Sequence, residues 1–140
     1  MKALFYLIVF CLANCKGKIF QKCELAAILE KHFDKSQIND CKFIYKYHKN
    51  FVYTAFSGIC LLEKESEFNS RAIGYLNGRK HLGLFQISDK WWCKWDRQYN
   101  LGCGNKCGKF IDDNIIDDIN CAKKIFKETA KLSGNGFNAW

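Results

Sequence analysis

No proline interrupts the chain anywhere, so no helix suggested by its apolar spacing is cut short by the missing N–H and ring clash that proline brings. Long hydrophobic runs are missing as well. The most apolar stretch, Ala3 to Ala13, is too short to cross a bilayer, which argues against a membrane anchor, the other reading of such a run. Basic Lys2, the apolar run and the small residues Cys15 and Gly17 read instead as the parts of a secretory signal. Asn14 makes a lipoprotein site at Cys15 a poor alternative. Cleavage is expected before Lys18, giving a signal peptide at 1–17 and one domain at 18–140, a length that suits a single core. Internal repeats and low-complexity segments are absent, and between Asn69 and Ser88 there is no Asp or Glu at all.

Acids are the minority elsewhere too. With Lys2 and Lys16 gone, 20 basic residues face 14 acidic ones, a charge of +6 that draws the protein towards anionic surfaces and polyanions. The lysines are scattered rather than clustered with aromatics in a reading motif, which argues against a nucleic-acid partner. Bacterial walls and acidic glycans remain. Cys11 and Cys15 leave with the signal, so the domain keeps Cys23, Cys41, Cys60, Cys93, Cys103, Cys107 and Cys121. In a secreted chain these should form disulfides, with one left over or paired between chains. Zinc at Cys103 and Cys107, with Cys93 and Cys121 nearby, would need a reducing compartment.

Apolar spacing at Leu25, Ile28, Leu29, His32 and Phe33 predicts a helix over 22–33, with His32 at its edge rather than a ligand. Residues 34–50 lack clear periodicity and read as a loop, with room for a short helix. Val52, Ala55, Phe56, Ile59 and Cys60 predict a second helix that runs into the acids Glu63, Glu65 and Glu67. Asn77-Gly78 is the dipeptide that most favours a two-residue hairpin turn, so Ala72 to Ile87 should form a small antiparallel sheet. Residues 93–108 are rich in glycine and cysteine and need disulfides to hold them. Ile115, Ile119, Ala122 and Phe126 predict a third helix with Asp117 and Asp118 in its first turn, where the helix dipole favours carboxylates. The end of the chain shows no obvious closing element.

Chemistry concentrates between Cys60 and Cys93. On a helix, Glu63 and Glu67 share a face at i, i+4 while Glu65 points elsewhere, so only one of the three can line a cleft. A carboxyl held against apolar groups has its charged form disfavoured, which suits a general acid; the plainer alternative is a solvated charge run. Trp91 and Trp92 offer flat faces for sugar rings, or else form a buried pair. A second cluster, "KFIDDNIIDDI", holds four of the 14 acids within residues 112–118. Carboxylates of Asp112, Asp117 and Asp118 with the carbonyls of Lys109 and Asn114 could supply most of the roughly six to eight oxygens that Ca²⁺ takes. The glycine and closing glutamate of an EF-hand are missing, and helix capping alone would account for Asp117 and Asp118 but not Asp112.

The segments "KIFQKCELA", Glu65-Ser66-x-Phe68-Asn69 five residues after Cys60, "GLFQIS", "WWC", "CAKKI" and "GNGFNAW" occur in an order and spacing that closely resembles the C-type lysozyme and α-lactalbumin family, over nearly all of 18–140. The resemblance implies an α+β fold: a helical lobe, a small β-hairpin lobe and a cleft between them. It implies a secreted, monomeric muramidase-type glycosidase that cleaves β-1,4 bonds of peptidoglycan or a related amino-sugar glycan at the bacterial surface, for defence or digestion. Glu65 takes the general acid's place, and Trp91, Trp92, Gln86, Asn138, the backbone of Ala139 and Trp140 take substrate-contacting places, Trp140 being the tryptophan that packs on the acid. Lys109, Asp112, Asn114, Asp117 and Asp118 match all five positions of a structural calcium elbow. Cys93–Cys107 and Cys103–Cys121 match family disulfides.

Three departures stand out. His81 occupies the position of the second carboxylate, two residues before Gly83, in the stretch that holds no acid. A retaining glycosidase needs an anion there, a logic for which lysozyme is itself the type case, so weakened activity is expected. The other reading is a non-catalytic, calcium-stabilised glycan-binding or cationic membrane-active antimicrobial protein. The domain is also C-terminally incomplete relative to the family, which leaves Cys23 and Cys60 without their family partners. Finally, a longer stretch than usual separates those two cysteines and includes Cys41, which could pair with one of them. A mis-spliced or incomplete gene is an alternative account of both.

Overall fold

The computed structural model describes residues 17–33, 53–96 and 102–140. The first expected helix is α1, Lys22–His32, with Leu25 and Leu29 buried one turn apart as the spacing requires. His32 is at its edge, and its carbonyl accepts a 2.6 Å bond from Lys123 Nζ. The expected loop at 34–50, with Cys41, lies outside the described residues. Helix α2, Tyr53–Ser66, buries Ile59, Leu62 and Ser66. It packs against α1, and Lys22 Nζ meets Glu63 Oε1 across the two at 2.6 Å.

Helix α2 stops sooner than the acid spacing suggested. Glu67 and Phe68 both adopt left-handed backbone, φ 51° and 62°. The Glu67 N–H still reaches the Glu63 carbonyl at 3.0 Å, the single bond of an αL stop, and the Phe68 N–H turns back to the Leu62 carbonyl at 3.5 Å. Glu67 therefore leaves the helix, and the face predicted for Glu63 and Glu67 does not form. Phe68 swings into the core instead.

The Asn77-Gly78 hairpin forms. Strands β1 (Ile73–Leu76) and β2 (Arg79–Leu82) pair antiparallel, and β3 (Ile87–Ser88) adds to β2. Both turn residues have positive φ, 51° and 72°, as a two-residue turn of matching twist demands. Gly74 lies opposite His81, and His81 opposite Ser88. Between β2 and β3, Leu84 and Phe85 are buried, so the run "LGLFQI" is a plug rather than an alternating strand.

Strands β4 (Cys93–Lys94) and β5 (Asn105–Lys106) form a short parallel pair. The disulfides Cys93–Cys107 and Cys103–Cys121 are both present, tying this glycine-rich region to the 3-10 turn Cys107–Phe110 and to α3, Ile116–Ser133. Cys23 and Cys60 are exposed and unbonded. The chain end does have a closing element: a 3-10 turn at Gly136–Ala139 packs on α3. Phe126 and Phe137 meet edge to face with centroids 5.0 Å apart, and a Cβ on Gly136 would lie 2.5 Å from the Phe126 ring. One core joins Leu25, Leu62, Leu82, Leu84, Ile87, Phe110 and Ile119, so the helices and the sheet share it. No helix among the described residues is long and apolar enough to cross a membrane.

Candidate active site and acidic elbow

Glu65 is half-buried in the last turn of α2, whereas Glu63 and Glu67 are exposed. Of the three acids it is the one partly withdrawn from water. Asn69, just beyond, pairs with Ile19 as an isolated bridge and takes the Arg71 N–H on its side-chain oxygen at 2.9 Å.

His81 is half-buried on β2, with small residues opposite on both sides. Its Nδ1 lies 3.1 Å from the carbonyl oxygen of Gln86. A carbonyl only accepts, so Nδ1 carries the hydrogen, and the neutral ring keeps its lone pair on Nε2. Gln86 has φ 47° and is nearly buried. Its Nε2 donates to Gly83 O at 2.9 Å, and a Cβ on Gly74 would fall 2.3 Å from its Oε1. Its amide braces the sheet, and any side chain at position 74 would push that amide out of place.

The tryptophans divide. Trp91 is 60% exposed with Lys90 Nζ 4.2 Å above its ring, while Trp92 packs against the core. Trp95, which the sequence reading passed over, is 44% exposed. Its Nε1 donates to Asp89 Oδ2 at 3.1 Å, and Lys80 Nζ lies 4.7 Å from its ring centre. The signal was a third tryptophan two residues after Cys93. Trp140 is half-buried and donates from Nε1 to Phe85 O at 2.7 Å. Asn138 and Ala139 are exposed, with Asn138 Nδ2 on Ser133 Oγ at 3.2 Å. The turn at 85–86 thus anchors both Trp140 and His81, which the sequence holds far apart.

The acidic elbow spans the 3-10 turn and the first turn of α3. Asp118 is 1% exposed, and neither of its carboxylate oxygens has a hydrogen-bond partner; nor does Asp117 Oδ1. Burial foremost, then the charges of Asp117 and Asp112, push the Asp118 carboxyl up to about 8. Asp117 is raised in the same direction, again mainly by burial. Asp112 is turned aside: Oδ1 accepts from Asn114 N at 2.9 Å, and Oδ2 lies 3.8 Å from Lys109 Nζ. Accordingly, no three acidic, His or Cys side chains converge as a ready-made metal cluster among the described residues. Buried carboxylate oxygens without partners are costly, and a divalent cation is the group that fits them best. The elbow touches the sheet at Gly83, where a Cβ would lie 1.9 Å from Phe110 O and 2.8 Å from Asp118 Oδ1. With φ at 66°, Gly83 is fixed by both space and backbone.

Asp113, an acid to which the sequence reading gave no role, points away from this cluster. Ser70 Oγ donates to its Oδ1 at 2.7 Å and Arg71 Nη2 to its Oδ2 at 2.9 Å. The Ser70 hydroxyl first, then the Lys18 N–H and Arg71, hold its carboxyl below the usual range.

Residues 18–140 match the sequence profile of the C-type lysozyme/alpha-lactalbumin family. The milk isozyme of lysozyme C from Canis lupus familiaris is 40% identical over 126 residues, covering 88% of this chain and 84% of that protein. A lysozyme structure from Litopenaeus vannamei superposes with a TM-score of 0.65 at 29% identity, covering 89% and 84% of the two chains. A calcium-binding lysozyme from equine milk gives 0.58 at 38% identity, covering 84% and 83%.

Proposed function

The chain belongs to the C-type lysozyme/alpha-lactalbumin family, and on that premise we propose that it is a secreted glycoside hydrolase acting slowly on β-1,4 bonds of bacterial peptidoglycan. The observation that carries this is the contrast between its two site positions: a half-buried Glu65 at the end of α2, and His81 tied by Nδ1 to the Gln86 carbonyl on β2. Glu65 donates its proton to the glycosidic oxygen, the C1–O bond breaks towards an oxocarbenium-like sugar, and water then adds to C1 and returns a proton to Glu65. An anion normally stabilises or captures that sugar. The Nε2 lone pair of a neutral His81 brings no charge, and protonation brings the wrong sign. Losing one such electrostatic stabiliser costs about 3 kcal/mol or more, roughly a hundredfold in rate. Exposed Trp91 supplies a face for a sugar ring, and the net positive charge draws the protein to anionic walls.

The orphaned oxygens of Asp117 and Asp118 suit calcium, which would supply the positive charge they lack. The carbonyls of Lys109 and Asn114 would join them in holding it, together with the Asp112 carboxylate once that side chain turns from Asn114 N and Lys109 Nζ. The ion's role is structural, since the elbow supports the Gly83 turn that follows β2.

Release of new reducing ends from purified walls tests the catalytic reading, with Glu65→Gln expected to abolish it. The second reading, a non-catalytic glycan-binding or membrane-active antimicrobial protein, draws on the lysine-capped exposed rings of Trp91 and Trp95. It predicts that killing of bacteria persists in Glu65→Gln.

A further inference from the structure

The backbone nitrogen of Lys18 sits in a small polar receptor. It lies 3.1 Å from Ser70 Oγ and 3.1 Å from Asp113 Oδ1. The Ser70 hydroxyl bridges to that same Asp113 oxygen at 2.7 Å, and Arg71 Nη2 holds the other at 2.9 Å. Ser70 is fully buried. Within a peptide this nitrogen has a single hydrogen to divide between two acceptors. An α-ammonium in its place has three, and a unit charge opposite to that of Asp113.

The rest of Lys18 is fixed independently of that nitrogen. Its carbonyl accepts from Ser70 N at 3.0 Å, Phe20 N donates to Phe68 O at 3.1 Å, and Lys18 Nζ pairs with Glu24 at 2.7 Å. Just before it, Gly17 is squeezed: a Cβ there would lie 2.2 Å from Asn69 Oδ1 and 2.7 Å from the Arg71 side chain. A side chain at position 17 would have to displace those of Asn69 and Arg71.

We propose that Ser70, Arg71 and Asp113 form a receptor for the α-ammonium created when the Gly17–Lys18 bond is hydrolysed, so that removal of residues 1–17 locks the new terminus onto the acidic loop. The step is an ordinary peptide hydrolysis. A peptidase adds water across the amide, the C–N bond breaks, Gly17 leaves as a carboxylate and the Lys18 nitrogen takes up a proton. The inference rests on the reading of residues 1–17 as a removable leader. Since Asp113 sits between Asp112 and Asn114, the lock grips the elbow from its solvent side.

Two chains test the receptor, one beginning at Lys18 and one at Gly17, both melted in chelator. They carry the same total charge, but the second places its ammonium one residue too early. The Lys18 chain should melt about 3–5 °C higher, the shift that an interaction of this kind gives a domain of this size. The gap should close in Asp113→Asn, and it should narrow in molar salt because the Asp113 side chain is 45% exposed. Equal melting of the two chains overturns the receptor, as does a gap indifferent both to salt and to Asp113→Asn; should that variant fail to fold, the salt dependence alone decides. Separately, the mass of the protein recovered from the medium of secreting cells should begin at Lys18. Any other first residue overturns the leader reading.

Discussion

His81 and Trp140 hang from adjacent carbonyls: the imidazole Nδ1 reaches Gln86 O at 3.1 Å and the indole Nε1 reaches Phe85 O at 2.7 Å. The turn between β2 and β3 therefore sets the position of a ring on either side of it. Trp140→Phe keeps the aromatic face but leaves the Phe85 carbonyl short of a donor. The expected cost is about 0.5–1.5 kcal/mol, read as a lowered midpoint in urea unfolding. An unchanged midpoint would mean that the bond contributes nothing to holding the chain end.

The elbow makes a pH prediction. Asp118 is raised in the folded state to about 8 from an ordinary value of 3.8, so folding favours its protonated form. That contribution is fully present below pH 4 and is lost as pH rises through about 8. In chelator the melting temperature should fall between pH 5 and 8, and Asp118→Asn should flatten the fall and stabilise the protein at pH 8. Added Ca²⁺ should reverse the loss in the unmodified chain but not in Asp118→Asn. A melting temperature at pH 8 that Ca²⁺ leaves unmoved would remove calcium from the account.

The tryptophans should separate binding from folding. Trp91→Ala removes an exposed face, so binding to insoluble walls should weaken about tenfold, some 1.4 kcal/mol, with stability almost unchanged. Trp92→Ala opens the edge of the core and should lower stability by about 2–4 kcal/mol. Pull-down on walls and thermal melts of the two variants give the comparison. Equal effects on binding and melting from both would contradict the division.

Much of this arrangement was legible in the residues. Leu25 and Leu29 one turn apart, Asn77-Gly78 between two short runs, and the apolar series from Ile115 to Phe126 each carry their own local signal, and each formed as expected. Features that depend on distant partners did not announce themselves. Glu67 leaves its helix because Phe68 is drawn into the core, which forces left-handed backbone on two residues that rarely adopt it. Gln86 turns inward to meet Gly74, and Asp113 finds Ser70 and the Lys18 nitrogen across the fold. The closing turn at Gly136–Ala139 is too short to show periodicity and depends on the Phe126–Phe137 contact.

The central claim is that the cleft holds a working acid and lacks its anion. Turnover of purified peptidoglycan by the unmodified chain and by His81→Asp, measured as reducing ends released per molecule per minute, tests it most directly. The account predicts slow, measurable turnover in the unmodified chain and a rise of roughly a hundredfold in His81→Asp. Turnover that His81→Asp leaves unchanged or lowers would contradict it.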